Sequence, residues 1–199
     1  MKRFQTSIRV LTALSLAFLI GYTSSNAQET APSDPKLEEA RDDARTIANN
    51  TLQALYTHQP SAKQAVEGAA GYAVFSNTAL KILVAGGGQG KGLAVNNKTR
   101  QEVFMRMAEV QAGFGFGAKK FRLVWVFETQ DAFNKFVNSG YQFGGQATLT
   151  AKGAGKGAGF AGAASVSPGV WVYQLTDDGI AAELTVKGTK YYRDKKLSN

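Results

Sequence analysis

The chain offers few side chains for catalysis or metal binding. His58 is its only histidine, and cysteine is absent. A Ser-His-Asp site would have to use this one ring, and a metal site would rely on oxygen ligands alone. His58 stands beside Pro60 in a predicted turn between helices, which favours a solvated histidine over a catalytic base. We therefore predict that the protein is not an enzyme, with no catalytic residue, no metal site and no cofactor.

Two glycine-rich stretches each contain a Gly-Lys-Gly sequence, at Gly90 to Gly92 and at Gly155 to Gly157. A phosphate-binding P-loop has Ser or Thr directly after Gly-Lys and a helix that starts there, and neither stretch has them. In the second stretch glycine occupies every other position from 153 to 159. A period of two is typical of a strand with one face of bare backbone, so close packing is favoured over nucleotide binding.

Basic residues are the most suggestive chemical feature of the sequence. They occur in the glycine-rich stretches, at the start of a predicted strand and at the end of the chain. Such residues, with nearby aromatic side chains, would suit an anionic and partly apolar partner. The alternative is an ordinary solvated surface around core aromatics. The candidate lipid-binding residues are Lys91, Lys119, Lys120, Arg122, Lys152 and Lys156.

The N-terminus is typical of a secretory signal peptide. Basic residues precede an apolar run of about 11 residues, shorter than the roughly 20 that span a bilayer, and Ser25-Asn26-Ala27 supplies small residues for cleavage after Ala27. We expect a cleaved signal peptide over residues 1–27, a linker over 28–35 and one domain over 36–199. The predicted location is the periplasm or the extracellular space. Without cysteine, the fold depends on its core alone.

The charge balance is only mildly basic. The formal net charge is +8, but three of the 23 basic residues and none of the 15 acidic ones lie in residues 1–27, which leaves +5 after cleavage. This excess is small for a protein that binds nucleic acid. We therefore expect an anionic lipid or membrane surface, or an envelope protein, as the partner and no nucleic acid.

Apolar periodicity predicts two N-terminal helices. Apolar residues recur every three or four positions from Lys36 to Leu55, after Asp34-Pro35, which suit an N-cap and the first helical position. Ser61 to Gly68 predicts a short second helix, with Ser61 as N-cap and Gln64 closing a capping box.

From Gly71 onward, short alternating apolar runs between glycines and asparagines predict strands. Asn96-Asn97 suits a turn with left-handed backbone angles, and Thr129 is expected to cap a short helix, Gln130 to Asn138, that ends at Gly140. The order is helices, a meander, one inserted helix and a second meander. The sequence thus predicts an α+β fold, with two N-terminal helices followed by a mainly antiparallel, Gly-rich β-sandwich or barrel-like sheet. The predicted strands are 72–75, 82–85, 92–95, 103–107, 121–127, 141–143, 147–150, 170–173 and 180–186.

Several motifs follow one another over most of the chain after residue 27. They are Gly71-Tyr72-Ala73-Val74-Phe75, Gly86 to Gly92, Gln111 to Gly117 leading into Phe121 to Phe127, Phe133-Asn134-Lys135-Phe136, Gly144 to Ala147 and Gly179 to Tyr191. In this order they resemble the SYLF family, a lipid-binding domain also found in actin-associated proteins and in secreted bacterial proteins. The resemblance implies phospholipid binding through a basic and amphipathic surface, without catalytic residues.

Two functional hypotheses remain open at this stage. The first is a non-catalytic module of the bacterial envelope that binds anionic phospholipid, with the first helix and a basic face on the head groups. The second is a structural or protein-interaction domain of the periplasm or cell surface, with edge strands that pair with a partner. Lipid binding through charge weakens with salt, whereas the second kind of contact is insensitive to it.

Overall fold

The computed structural model describes residues 34–82, 85–112, 117–143, 146–150, 160–177, 179–181 and 183–198. They belong to one unit, Ser33–Asn199. The predicted signal peptide, the glycine-rich stretch 153–159 and the candidate residues Lys152 and Lys156 lie outside the described residues.

Helix α1 (Pro35–His58) begins as the sequence predicts. The Asp34 carboxylate accepts a hydrogen bond of 3.0 Å from the Lys36 N–H, and Pro35 occupies the first turn. The helix runs three residues beyond Leu55, so His58 is its exposed last residue rather than part of the following turn.

Helix α2 (Ser61–Gly68) has the predicted bounds but not the predicted cap. Pro60 occupies the N-cap position and makes no side-chain cap hydrogen bond, while the Ser61 hydroxyl accepts a hydrogen bond of 2.6 Å from Gln59 Nε2. The predicted capping box is wrong because Ser61 is already inside the helix.

Helix α3 (Gln130–Ser139) begins at the predicted residue and runs one residue beyond the predicted Asn138. The Thr129 hydroxyl accepts a hydrogen bond from the Ala132 N–H at 3.3 Å. Gly140, with φ of 73°, ends the helix and donates its N–H to the Phe136 carbonyl at 2.9 Å.

The strands confirm the α+β prediction, and every described pairing is antiparallel. The first four strands are longer than their apolar cores indicated. The predicted strand 82–85 is wrong, because Ile82 ends the first strand and Ala85 begins the second, and the predicted strand 180–186 is divided between two strands. Ala164–Ser167 was not predicted as a strand. The strands are β1 (Gly71–Ile82), β2 (Ala85–Asn96), β3 (Glu102–Ala112), β4 (Gly117–Phe127), β5 (Tyr141–Gln142), β6 (Gln146–Thr150), β7 (Ala164–Ser167), β8 (Val170–Thr176), β9 (Gly179–Ile180), β10 (Glu183–Lys187) and β11 (Thr189–Arg193).

The turn between β2 and β3 forms where it was predicted, with a different residue in the left-handed conformation. The Asn96 side-chain oxygen accepts hydrogen bonds from the N–H groups of Lys98 and Thr99, both at 3.0 Å. Positive φ occurs at Arg100, at 60°, and at no other non-glycine residue in the described part of the chain. Asn96 therefore builds the turn with its side chain, as asparagine commonly does.

The main sheet has the strand order β5-β11-β3-β2-β1-β4-β8-β7, with β9 paired to β8, while β6 and β10 form a separate pair. The prediction of a simple meander fails at β4, which pairs with β1 instead of β3. The free edge of β3 is occupied by β11 near the end of the chain.

The main sheet is strongly curled. Trp125 of β4 and Tyr191 of β11 are four steps apart in the strand order, about 19 Å in a flat sheet, since neighbouring strands are about 4.8 Å apart. Their ring centroids are only 4.9 Å apart, so the two side chains meet across a concave face. The sheet is a half-barrel, which fits the barrel-like form of the prediction.

Both faces of this sheet are covered. On the concave face, Phe133 and Phe136 of α3 pack into a cluster with Trp125 and Phe75. On the convex face, α1 and α2 cover an apolar cluster whose sheet members are Val74, Leu93, Val95, Phe104, Val124, Val126, Tyr173 and Leu175. A side chain at Gly92 would overlap the Phe75 ring of the neighbouring strand β1, so this glycine of the first glycine-rich stretch serves close packing within the sheet. In the described part of the chain, no helix combines the length and apolarity needed to cross a membrane.

Candidate functional site

A row of basic side chains crosses the convex face of the sheet. Alternation along β4 puts Arg122 on the same face as buried Val124. Strand register then places Ser76 of β1 opposite Arg122, Lys91 of β2 opposite Ser76, and Arg106 of β3 opposite Lys91. Three cations therefore share one row about 14 Å long, given strand spacings of about 4.8 Å.

A second row on the same face adds two more basic residues. Lys120 lies two residues before Arg122 in β4, and Lys190 of β11 pairs with Ala108, two residues beyond Arg106 in β3. Both lysines are exposed. We call Lys91, Arg106, Lys120, Arg122 and Lys190 the basic face.

Acidic residues balance one part of the basic face and leave another part open. Lys91 Nζ lies 3.5 Å from Asp43 Oδ2 of α1, and Arg106 Nε lies 3.9 Å from Asp194 Oδ2. Among the residues that the structure describes, Lys120 and Arg122 form no ion pair. The β4 end of the basic face is therefore the part with positive charge available to a ligand.

A cavity of about 170 Å³ lies at this open end, and we call it the Arg122 cavity. It forms because pairing between β4 and β8 stops at Arg122 and Leu175, while β4 itself extends back to Gly117. The lining residues are Ser76, Asn77, Lys120, Phe121, Arg122, Leu175, Thr176 and Asp177.

The chemistry of this cavity suits a phosphate group. The half-buried Arg122 guanidinium has a planar fork of N–H donors that can bind two phosphate oxygens at once. Lys120 adds a second positive charge, and the Ser76 hydroxyl lies opposite Arg122 in the sheet.

The structure brings together three of the six candidate residues. Lys91, Lys120 and Arg122 belong to the basic face. Lys119 pairs with Ala79 in the β1–β4 register, but its side chain is not among those described. Lys152 and Lys156 lie outside the described residues, so their place in the sequence prediction is untested.

Arg106 and Lys190 were not among the predicted site residues, although basic residues at the end of the chain were part of the prediction. Arg106 alternates with Met105 and Met107, which are 1% and 2% exposed. This alternation puts Arg106 on the opposite face from the buried methionines, a signal that was present in the sequence. The neighbour relation between Arg106 and Lys91, however, depends on strand pairing.

The concave face contains a buried polar cluster of a different kind. Asn77 Nδ2 donates a hydrogen bond of 2.8 Å to Glu109 Oε2 across β2, where Gly88 and Gly90 leave room between the two residues. Asn77 Oδ1, Trp125 Nε1 and the Tyr191 hydroxyl are buried without a hydrogen-bond partner among the described residues. Burial raises the pKa of Tyr191 well above its usual range; the nearby Glu109 charge adds to the rise, and the polar N–H of the neighbouring Trp125 opposes it.

A second cleft, of about 310 Å³, lies between α3 and the two edges of the half-barrel. Tyr141 of edge strand β5 and Ser167 of edge strand β7 both line it, above the apolar rings of Phe127 and Phe136. Asp131 and Lys135 of α3 also line this cleft. No cluster of acidic and histidine side chains able to hold a metal ion occurs in the part of the chain that the structure describes.

Comparison with known proteins gives one family match and one curated relative. Residues 108–199 match the family model described as Ysc84, Las17-binding protein actin regulator. Beta cell expansion factor A of Aeromonas veronii is 32% identical over 161 residues, which is 81% of this chain. The chain spans about 60% of the length of that relative. Lys120, Arg122 and Asp177 lie inside the range that matches the family model, whereas Lys91 precedes it.

Proposed function

Since this chain belongs to the Ysc84, or SYLF, family through residues 108–199, a family of lipid-binding or actin-regulator-like domains, we propose that it binds anionic phospholipid without catalysis. The observation that carries the proposal is the Arg122 cavity. Two cations line it, and neither has an acidic partner among the described residues.

Electrostatics supports a membrane surface as the partner. A basic residue near an anionic leaflet contributes about 1 kcal/mol of attraction. The five basic residues of the basic face lie on one side of the sheet, so one flat anionic surface can meet several of them together. Arg122 and Lys120 are the first candidates for direct phosphate contact, because Lys91 and Arg106 already face Asp43 and Asp194.

We further propose that the protein works in the bacterial envelope, in the periplasm or outside the cell. The predicted signal peptide over residues 1–27 supports this location. N-terminal sequencing of the protein recovered from periplasm and culture medium tests it, with Gln28 as the expected first residue. A chain that stays in the cytoplasm and still begins at Met1 would overturn the proposed location.

Co-sedimentation with liposomes tests the proposed function. We expect the purified chain to bind phosphatidylglycerol vesicles at low salt and to dissociate from them at high salt. We expect little or no binding to phosphatidylcholine vesicles. Arg122→Glu changes the local charge by two units, which corresponds to about 2 kcal/mol, or about 30-fold weaker binding. Lys98→Glu is the matched control, since Lys98 is exposed on the β2–β3 turn. This substitution also changes the charge by two units, but away from the cavity.

The second candidate function, protein interaction, is favoured by one specific feature. The cleft beside α3 is lined by both edge strands of the sheet, and edge strands are the usual place for strand addition by a partner. Absence of vesicle binding at low salt would refute the lipid proposal and leave this candidate. An Arg122→Glu variant that binds anionic vesicles as well as Lys98→Glu does would refute the role of the cavity.

A further inference from the structure

The residues that line the Arg122 cavity include one exposed acidic residue. Asp177 is exposed and lines the cavity with Lys120 and Arg122. It directly follows Thr176, which pairs with Gly179 in the hairpin between β8 and β9. The Thr176 hydroxyl donates a hydrogen bond of 3.2 Å to the Gly179 carbonyl. This bond fixes the position of the backbone that leads into Asp177.

Asp177 does not serve as the counter-ion of the two basic residues. Within the described part of the chain, no ion pair joins it to Lys120 or Arg122, although all three line one cavity. The cavity therefore offers a ligand two cations and one carboxylate that are not joined to each other by an ion pair among the described residues. Asp177 offsets part of the attraction that Lys120 and Arg122 exert on a phosphate, whereas a ligand with both charges would interact favourably with all three residues.

We infer that the Arg122 cavity recognises the zwitterionic phosphoethanolamine headgroup. This inference rests on the proposed lipid-binding function and names the headgroup. The phosphate binds Arg122 and Lys120, and the primary ammonium donates hydrogen bonds to the Asp177 carboxylate. An ammonium of this kind has three N–H donors, as in a lysine side chain, whereas the trimethylated amine of phosphocholine has none.

The dimensions of the cavity agree with this headgroup. A cavity of about 170 Å³ is well above the roughly 10–15 Å³ that holds one water molecule, so it has room for a group of several heavy atoms. A phosphate joined to an amine by two carbon atoms is such a group.

Asp177→Asn tests the inference, because it removes the negative charge and keeps the shape of the side chain. Binding of the full chain is measured with phosphatidylcholine vesicles that contain either phosphatidylethanolamine or phosphatidylglycerol. We expect the unmodified protein to bind phosphatidylethanolamine vesicles about tenfold more tightly than phosphatidylcholine vesicles, the scale of one charged hydrogen bond. Asp177→Asn should lose this preference and bind phosphatidylglycerol at least as well as before.

Asp131→Asn is the matched control, since Asp131 is an exposed residue on α3, remote from the Arg122 cavity. Soluble phosphoethanolamine and soluble phosphocholine are each titrated into the protein, and binding is followed by NMR chemical shifts. This measurement separates headgroup recognition from effects of bilayer curvature. Equal binding of the two soluble headgroups, or an Asp177→Asn variant that keeps the preference or loses phosphatidylglycerol binding, would overturn the inference. In each of these cases, salt-sensitive binding of the unmodified protein to phosphatidylglycerol vesicles would leave the proposed function intact.

Discussion

Gly71→Ala tests whether α3 is seated directly on the start of β1. A Cβ atom built at Gly71 lies 2.5 Å from Phe133 Cδ2 and 2.8 Å from the Val95 carbonyl oxygen. Ordinary contacts of this kind are about 3.5–4.0 Å, so the new methyl group needs about 1 Å of additional space.

Neither neighbour of this methyl group can move freely. The Val95 carbonyl belongs to β2, whose residues pair with β1 along its length. The Phe133 ring is 3% exposed and packs edge-on against Phe127, with ring centroids 5.8 Å apart. Overpacking of a filled core costs about 1–3 kcal/mol, and for a chain of this size each kcal/mol lowers Tm by about 2–4 °C. We therefore expect Gly71→Ala to lower Tm by about 2–12 °C.

Gly68→Ala provides the matched control, because a Cβ at Gly68 meets no atom within 4 Å. This variant should be neutral or more stable by up to about 1 kcal/mol, through the lower entropy of the unfolded chain. Thermal unfolding followed by circular dichroism measures both variants. In a Phe133→Leu background the cost of Gly71→Ala should shrink, since the ring is gone. Equal Tm values for Gly71→Ala and Gly68→Ala would refute the packing described here.

Two further predictions concern buried tyrosines. Tyr191→Phe removes a buried hydroxyl that has no hydrogen-bond partner among the described residues. Urea denaturation should therefore give a free energy of unfolding that is unchanged or higher by up to about 1 kcal/mol. A free energy of unfolding lower by more than about 1 kcal/mol would contradict the absence of a partner. Burial raises the pKa of Tyr56 to about 12, with smaller contributions from Glu67 and Tyr72, and raises that of Tyr173 further. Because an unfolded tyrosine ionises near pH 10, this contribution to stability is complete below pH 10 and is lost as pH rises toward about 12. Urea midpoints measured from pH 8 to 12 should fall over this range, whereas constant midpoints would contradict the burial of these rings.

Local features of the fold could be read from the sequence because their causes are local. Asp34-Pro35 begins α1, and Thr129 and Gly140 bound α3, since caps act on the nearest backbone groups. The exception is Ser61, whose side chain bonds to Gln59 instead of capping α2. The stretch Ala164–Ser167 was missed as a strand because four residues show too little alternation to be distinguished from a loop.

The candidate site was only partly predictable. Lys91, Lys120 and Arg122 were chosen for their charge and their place in the sequence, and the structure puts them on one face. Arg106 joins them only because β3 pairs with β2 in the register that sets it opposite Lys91. Asp177 was not among the predicted site residues, and it lines the Arg122 cavity because the β4–β8 pairing ends at Arg122 and Leu175.

The sequence by itself determined the two N-terminal helices, the inserted helix, the alternating strands and the resemblance to the SYLF family. These features depend on periods of two and 3.6 residues and on motif order, which are properties of neighbouring positions. Only the tertiary structure decided that β4 pairs with β1, that the sheet curls until Trp125 meets Tyr191, and that Arg122 and Asp177 share one cavity. Those outcomes depend on contacts between residues far apart in the chain, where packing of the whole sheet selects the partner of each strand.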